Sequence, residues 1–564
     1  MDQGWLYLYE EDYRRAEDCF QSIRDALGDS LVTWRVDYGL GRCAGMHGRT
    51  DAAMQHYLKA TAQVSRLRQR FANQEYSSSL FTSAQYLYDD AIALALDRED
   101  PETVLLLIEE HRSLVLQRQI ASTGLHFSPE IGTAYKQQAE LLRAMVEDNG
   151  APGELDTALS SYLNTILNAR HSNPLPDHLL INPLNLGELR KQLEATFPDW
   201  IILLYTQCKG ELVVVVIDSG HIDIQRTPLD DALKVLLKKA CLKRWRNYVF
   251  SNPDFAYLWN KSRQRWSQLT ELGERLLPTS VRKRLRPDTR LLIVPGGPLH
   301  DLPWATLRIG TDWLCQRAVV QVLPSLSIWS HLVRQPVYGE KALLLGCSSF
   351  GSRASPLPHI ADELDLVDRC WRGRGLVERM EDGKATRQAL RTLASGGELK
   401  QFQLLHIGTH AQLLPDQSVQ AHIKLWDEDM LLDEVTELRL GGGVVVLATC
   451  DGANGAVAPG EEVRSLSYAF LAAGARDVVA NIWSFYGELT QGILEEFYHG
   501  LARKLDAPTA LAQALRELLK YHDDGDGALP TRSPIVWGGL IAQGAGTVPG
   551  HSAGGTNPAS DHST

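Results

Sequence analysis

The sequence lacks the short motifs that mark the common metal, redox and nucleotide sites. Its eight cysteines include no C-x-x-C pair, so neither a zinc ribbon nor a thioredoxin-type site is indicated. It has no G-x-x-x-x-G-K-S/T loop, and the glycine run at residues 441–443 precedes a strand-like segment instead of following one. We therefore expect no metal, no cofactor and no nucleotide site.

Long apolar runs and an excess of positive charge are also absent. The 564 residues carry 57 Lys and Arg against 69 Asp and Glu, a net charge of −12, and 44% of them are hydrophobic. This balance is typical of a globular chain with more than one domain. No segment approaches the length of a membrane span, the first residues show no signal-peptide pattern, and cysteine use is ordinary for a reducing compartment. We expect a cytoplasmic protein.

One basic cluster interrupts the acidic chain between residues 234 and 246. Trp245 lies within it and Tyr248 follows, a combination that can bind nucleic acid. Basic runs on helices are more often a solvated face, and contact with a partner protein fits an acidic chain better. We therefore expect no nucleic-acid binding. The basic residues are Lys234, Lys238, Lys239, Lys243, Arg244 and Arg246.

The first 120 residues repeat a pattern of small and aromatic side chains. Ala16 and Phe20 recur 37 residues later as Ala53 and Tyr57, close to the period of about 34 residues in tetratricopeptide repeats. In such repeats small residues let paired helices approach, and aromatic residues fill the gap between them. We predict tetratricopeptide-like helical repeats over residues 1–120, with a plain helical bundle as the alternative. The concave face of stacked repeats would bind a protein substrate or a regulatory partner.

The pattern changes after a proline-rich stretch. Pro174, Pro176 and Pro183 remove backbone donors and disfavour helix, so residues 121–185 are interpreted as a helical connector and linker. From residue 186 strand-like runs alternate with helical segments, which predicts an α/β domain over residues 186–542 with a sheet covered by helices. Residues 543–564 are rich in Gly, Ser, Ala and His, so we expect a disordered tail.

Two apolar runs end in residues that can do chemistry. One passes through His406 to His410, and the other ends at Cys450, 40 residues after His410. Continuous apolar runs predict buried parallel strands, whose working residues lie at their carboxyl ends. An imidazole that takes the proton of a nearby thiol produces the nucleophilic thiolate. The sequence thus predicts a dyad of Cys450 and His410.

Each of these residues has a simpler interpretation when it is considered alone. A free cysteine is commonly a packed core residue, and a lone histidine is commonly structural. The shared strand-end position is what favours the dyad. Cys347 also ends an apolar run, but no strand-end histidine accompanies it at a comparable spacing, so we interpret it as a packed residue.

The second part of the chain, most of residues 186–543, resembles a CHAT domain, a caspase-like cysteine protease family related to separase. The resemblance implies an α/β caspase-like domain with a mostly parallel sheet covered by helices. Repeats of the tetratricopeptide type ahead of such a domain are a common arrangement in the family. The segments that carry the resemblance are, in order, residues 291–304, 322–325, 404–411, 444–452 and 469–483.

The resemblance also implies roles for individual residues. Cys450 would attack the scissile carbonyl of a peptide and His410 would act as the acid/base. Backbone N–H groups of Ala411 and Cys450 would form the oxyanion hole; most relatives have glycine at position 411, and alanine keeps the N–H group. Glu461 and Glu462 are candidates for a substrate pocket, where a carboxylate would favour a basic side chain. The supporting residues would be His406, Gly408, Thr409, Asp451 and Gly452.

Three functions are compatible with these features. The first is a caspase-like cysteine endopeptidase whose repeats recruit a substrate or an activator. The second is a non-catalytic interaction scaffold with a protease-like fold, and the third is a thiol acyltransferase that uses the same dyad. The presence of both dyad residues favours the endopeptidase, because an inactive relative would be expected to lose one of them.

Overall fold

The chain forms an all-helical part followed by a large sheet with helices on both faces, as seen in a computed structural model. This arrangement confirms the expected fold class. Within the described residues, no helix is both long and apolar enough to cross a membrane. The structure describes residues 1–27, 32–70, 74–113, 116–117, 119–120, 184–240, 266–413, 421–450, 452–453, 455–458, 462–483, 487–520 and 534–547.

The all-helical part contains six helices in the described residues, and each packs against the next. Ala16 and Ala53, the small residues of the predicted repeat, are both fully buried in the second helix of their pairs. The helices are α1 (Asp2–Tyr9), α2 (Tyr13–Leu27), α3 (Thr33–Met46), α4 (Thr50–Arg70), α5 (Gln74–Asp97) and α6 (Pro101–His111).

Two glycines of α3 allow the close approach of its neighbours. A Cβ atom added at Gly39 would lie 2.5 Å from the ring of Phe20 in α2, and one added at Gly41 would lie 2.5 Å from the ring of Tyr57 in α4. Any larger residue at either position would therefore push the helices apart. The small-and-aromatic pattern in the sequence thus corresponds to real helix contacts.

The predicted connector cannot be compared with the structure, because residues 121–183 lie outside the described residues. The predicted domain boundaries stay predictions. The next described helix, α7 (Leu186–Thr196), begins after Asn185, whose side chain accepts a hydrogen bond from the N–H of Glu188 at 2.9 Å. An asparagine at this position is a strong helix start signal.

Eighteen strands follow in the described residues, several of them in small side sheets. They are β1 (Trp200–Cys208), β2 (Glu211–Ile217), β3 (Ile222–Pro228), β4 (Arg290–Val294), β5 (Arg308–Ile309), β6 (Asp312–Trp313), β7 (Val319–Val322), β8 (Lys341–Gly346), β9 (Val377–Glu381), β10 (Phe402–Gly408), β11 (Ala411–Leu413), β12 (Ala421–Lys424), β13 (Asp429–Leu431), β14 (Val444–Ala448), β15 (Ala456–Ala458), β16 (Glu462–Arg464), β17 (Asp477–Asn481) and β18 (Leu540–Gly544).

The large sheet has 11 strands in the order β3-β2-β1-β4-β7-β18-β17-β14-β10-β8-β9. Each half contains a set of parallel strands, and the two sets run in opposite directions, while β2 is antiparallel to its neighbours β1 and β3. In the first half β1, β4, β7 and β18 are parallel. In the second half β17, β14, β10, β8 and β9 are parallel. The halves meet where β17 and β18 pair antiparallel. The carboxyl ends of the two sets of parallel strands therefore lie at opposite edges of the sheet.

Helices cover both faces of the sheet because its inner strands, such as β4, β10 and β14, are buried on both sides, as is usual for parallel strands. The apolar core on one face is continuous with the core of the helical part. The covering helices are α8 (Asp231–Ala240), α9 (Trp266–Leu276), α10 (Thr279–Arg284), α11 (Leu314–Arg317), α12 (Leu326–Arg334), α13 (Ile360–Trp371), α14 (Arg387–Ser395), α15 (Leu432–Val435), α16 (Leu466–Ala472), α17 (Gly487–Ala502), α18 (Ala507–Lys520) and α19 (Pro534–Trp537).

Buried charged residues at the end of α6 join the helical part to the first half of the sheet. Glu109 accepts a hydrogen bond from the N–H of Leu326 (3.0 Å) at the start of α12. Arg112 is fully buried and donates to the carbonyl groups of Tyr205 (2.7 Å) and Pro295, near the carboxyl ends of β1 and β4. Burial raises the pKa of Glu109, although the charge of Arg112 and the hydrogen bond from the N–H of Leu326 act in the opposite direction.

The chain end departs from the expectation of a tail that starts at residue 543. β18 continues to Gly544, so Gln543 and Gly544 lie inside the sheet, where they pair with β17. The amide N–H of Ala545 also donates to the carbonyl of Arg476 at 2.9 Å. Pairing with β17 in the middle of the sheet outweighs the glycine-rich composition at this point.

Candidate active site

The register of two neighbouring strands brings His410 and Cys450 to the same edge of the sheet. β10 and β14 are parallel, and Gly408 pairs with Ala448 in the last rung of their ladder. His410 and Cys450 each lie two residues beyond that rung, and neighbouring strands are about 4.8 Å apart. Both side chains are partly exposed. The shared strand-end position inferred from the sequence is thus present, while the roles of the two residues stay predictions.

The imidazole of His410 is held by the loop between β8 and α13. His410 Nε2 lies 2.8 Å from the carbonyl oxygen of Ser355, and its ring packs against Phe350 with a centroid distance of 5.0 Å. A carbonyl oxygen can only accept, so Nε2 must carry the hydrogen. In the neutral ring this leaves Nδ1 with the free electron pair, ready to accept a proton.

The conformation of this loop follows from its sequence and from the side chain of Asp382, which is half-buried. Ser355 precedes Pro356, which disfavours helix and keeps the segment extended. Asp382 accepts hydrogen bonds from the N–H of Ser348 (2.7 Å) and of Ser349 (3.2 Å), directly after β8. The loop is thus fixed at its beginning by a carboxylate and reaches the imidazole of the next strand.

The backbone around His410 is fixed by the hairpin of β12 and β13. The N–H of Lys424 donates to the carbonyl of His410 at 2.9 Å, and the Thr409 hydroxyl donates to the carbonyl of Lys424 at 2.6 Å. Ala411 pairs with Ile423 in the adjacent rung. Because hydrogen-bonded and non-hydrogen-bonded pairs alternate in antiparallel ladders, the N–H of Ala411 points away from β12. That orientation is a requirement for an oxyanion donor.

A buried cluster lies on the same strand around His406, four residues before His410. His406 is fully buried, and its Nδ1 lies 2.6 Å from the hydroxyl of Tyr498 in α17. Its Nε2 lies 3.0 Å from Glu363 Oε1 of α13, close enough for an ion pair although not aligned for a hydrogen bond. Burial raises the pKa of Tyr498, so its hydroxyl stays protonated.

Gly408 provides the space that the Glu363 carboxylate occupies. A Cβ atom at Gly408 would lie 3.1 Å from Glu363 Oε1 and 3.4 Å from His406 Nε2. His406 and Gly408 lie on the same face of β10, because side chains two residues apart share a face of a strand. The Glu363 carboxylate therefore lies on the face of β10 that carries His406, in the space that a side chain at position 408 would occupy.

The turn after Cys450 packs closely and is bonded to the next strand of the sheet. Gly452 is buried, and a Cβ atom there would lie 3.0 Å from Thr449 Oγ1. The N–H of Ala453 donates to the carbonyl of Asn481 at the end of β17 (2.9 Å), which ties the turn after Cys450 to the next strand. Asp451 and Glu461 lie outside the described residues, as does the side chain of Glu462, so the predicted substrate pocket stays a prediction.

Cys347 differs from Cys450 although both follow apolar strands. Cys347 is fully buried, and burial raises the pKa of its thiol to about 12. Such a thiol is protonated and unreactive at neutral pH. The structure agrees with its interpretation as a packed residue.

Several residues near His410 carry no signal in the sequence. Ser355 acts through its backbone carbonyl, which no residue type announces. Tyr498 is far away in the chain, and nothing in its neighbours distinguishes it from a core aromatic. Glu363 alone had a detectable signal, because it is an acid on the apolar stripe of a helix that also carries Ile360 and Val367.

Comparison with known families identifies the second part of the chain. Residues 267–545 match the family model of the CHAT domain. This match agrees with the resemblance seen in the sequence motifs. The match begins inside the predicted domain of residues 186–542. No curated protein matches the chain.

Two crystal structures of the separase–securin complex of Saccharomyces cerevisiae are similar to the chain. Both matched chains are 10% identical to it, with TM-scores of 0.38 and 0.39. Each alignment covers 94% of this chain but 48% and 52% of the matched chains. The chain thus spans about half the length of these structures.

Proposed function

We propose that the chain is a caspase-like cysteine endopeptidase with Cys450 as nucleophile and His410 as acid/base. The observation that carries the proposal is the orientation of His410. Its Nε2 is hydrogen-bonded to the Ser355 carbonyl at 2.8 Å. His410 and Cys450 also follow paired positions of two neighbouring parallel strands. An oriented imidazole next to a strand-end cysteine is the arrangement that nucleophilic catalysis needs.

In the proposed reaction the two nitrogens of the imidazole have different roles. Nδ1 takes the proton from the Cys450 thiol, and the thiolate attacks the carbonyl carbon of the scissile peptide bond. The Ser355 carbonyl accepts from Nε2–H and stabilises the imidazolium that forms. The imidazolium then donates a proton to the departing amine, and water releases the acid product from the thioester. Backbone N–H groups of Ala411 and Cys450 would stabilise the oxyanion.

The substrate and partner parts of the proposal rest on the sequence. Glu461 and Glu462, if they line the pocket, favour a basic residue before the scissile bond. The helical pairs of residues 2–111 would recruit a substrate or an activating protein, and no cofactor takes part. A reducing, cytoplasmic location fits the seven described cysteines, all of which are free thiols.

Active-site labelling tests the proposal. The full chain is treated with a peptidyl electrophile that alkylates caspase-like cysteines, and the modified residue is identified by mass spectrometry. Wild type, Cys450→Ala and His410→Ala are compared, with Cys347→Ala as the matched control because Cys347 also ends a strand but is buried. We expect labelling at Cys450 that depends on His410 and is unchanged in Cys347→Ala.

The outcomes separate the remaining functions. No labelling of Cys450, even after cell lysate is added as a source of activator, would contradict the endopeptidase and favour a non-catalytic scaffold. Labelling followed by transfer of the acyl group to an amine, with no hydrolysed product, would identify a thiol acyltransferase.

A further inference from the structure

A buried carboxylate lies between the two structural elements that hold His410. Asp429 in β13 is completely buried, and its two oxygens have different cationic partners. Oδ1 accepts a hydrogen bond from Arg353 Nη2, and Oδ2 accepts one from Lys424 Nζ at 2.9 Å. A buried carboxylate with two cations is held far more firmly than a surface ion pair.

The first partner belongs to the loop that orients the imidazole. Arg353 lies two residues before Ser355 in the chain. The carbonyl oxygen of Ser355 lies 2.8 Å from His410 Nε2. Arg353 Nη1 also donates to the carbonyl of Leu425 at 3.0 Å. Through Arg353, Asp429 is therefore bound to the loop that carries the Ser355 carbonyl.

The second partner belongs to the strand that holds the backbone of the histidine. The N–H of Lys424 donates to the carbonyl of His410 at 2.9 Å, and the carbonyl of Lys424 accepts from the Thr409 hydroxyl at 2.6 Å. Contacts thus run from the His410 ring through Ser355, Arg353, Asp429 and Lys424 back to the His410 backbone. Asp429 is the only member of this circuit that contacts both cations within the described residues.

The remaining titratable group at this carboxylate is neutral at physiological pH. His422 Nε2 lies 3.2 Å from Asp429 Oδ2 without hydrogen-bond alignment. Burial lowers the pKa of His422 to about 4, an effect that Lys424 and Arg353 reinforce and Asp429 opposes. Two cations and one anion therefore remain, so loss of the anion would leave Arg353 and Lys424 facing each other.

We propose that Asp429 is a positioning residue for the acid/base histidine, because it holds the Ser355 carbonyl and the His410 backbone in one fixed geometry. The inference rests on the proposed function of His410 and Cys450. Without the Asp429 charge, the loop of Ser355 separates from β12 and His410 loses its orienting acceptor. Cys450 then behaves as an ordinary thiol.

The pH dependence of Cys450 alkylation tests the proposal in the full chain. Iodoacetamide labelling of the Cys450 peptide is followed by mass spectrometry from pH 5.5 to 9.5 in wild type and Asp429→Asn. An ordinary thiol with a pKa of about 8.5 is roughly 1% ionised at pH 6.5. We expect the Asp429→Asn rate to fall about 10- to 100-fold at pH 6.5 and to stay within about twofold of wild type at pH 9.5.

Three further variants distinguish positioning from a general structural effect. Asp506→Asn removes a matched carboxylate that pairs with Arg290 at 2.9 Å in the other half of the sheet, and it should leave the pH profile unchanged. Arg353→Gln should reproduce the loss seen in Asp429→Asn, whereas Arg353→Lys, which keeps the charge, should restore part of the reactivity at pH 6.5. Circular dichroism confirms that each variant is folded.

Each result has a definite meaning. If wild-type Cys450 itself reacts as an ordinary thiol, the proposed function fails. If wild type is reactive at pH 6.5 and Asp429→Asn has the same profile, the role of Asp429 is refuted while the proposed function stands. If Asp429→Asn does not fold, Arg353→Gln decides: a wild-type profile in that folded variant overturns the inference.

Discussion

Arg112 offers a quantitative test of how the helical part is attached to the sheet. Its guanidinium group is completely buried and donates to the carbonyl groups of Tyr205 and Pro295. Hydrogen bonds from a charged donor contribute about 1.5–3 kcal/mol each. Replacing Arg112 with alanine removes both, so we expect the free energy of unfolding to fall by about 3–6 kcal/mol.

Urea unfolding of the full chain, followed by circular dichroism and by tryptophan fluorescence, measures this change. Arg112→Lys should lower the free energy of unfolding by less than Arg112→Ala, because the ammonium group keeps the charge. It should still destabilise the protein, because an ammonium group cannot bind two carbonyls as the planar guanidinium does. Arg98→Ala is the matched control: Arg98 makes an exposed ion pair with Asp51 at 2.7 Å, and such pairs contribute about 0–1 kcal/mol. If Arg112→Ala costs no more than Arg98→Ala, the buried attachment does not stabilise the protein.

Two further predictions concern the sheet. In Gly408→Ala the new methyl group would lie 3.1 Å from Glu363 Oε1, so the free energy of unfolding should fall by about 1–3 kcal/mol and the melting temperature should fall with it. Gly373→Ala is the control and should match wild type, because no other atom lies near that position. Burial raises the pKa of Asp477 to about 7, although the N–H of Gly546 opposes this. Folding stability should therefore fall as pH rises from about 4 to about 7. Asp477→Asn should remove that dependence in urea titrations; an unchanged slope would refute the assignment.

The fold class and the strand-end motifs could be predicted because they depend on local sequence patterns. The alternation of apolar runs with helical segments predicts a sheet covered by helices. Runs that end at His410 and Cys450 predict strands whose ends carry these residues, and β10 and β14 are indeed parallel neighbours. The small residues of the repeat also predict helix contacts, such as Gly41 against Tyr57.

Other features depend on contacts between distant parts of the chain. The reversal of direction between β17 and β18 follows from a strand pairing that no local pattern encodes. The composition of residues 543–564 predicts a disordered tail, yet Gln543 lies in β18 because it pairs with β17. The attachment of Arg112 to β1 and β4 likewise joins segments that are about 90 and 180 residues apart in sequence.

The sequence by itself determined the chemical groups, namely a thiol and an imidazole at the ends of two apolar strands. Only the tertiary structure decided which nitrogen of His410 carries the hydrogen, because the acceptor is the backbone carbonyl of Ser355 and a carbonyl can belong to any residue type. It also placed Asp429 between Arg353 and Lys424, a contact set by the packing of a loop against a hairpin. Residue identity specifies reactivity, whereas orientation depends on long-range packing.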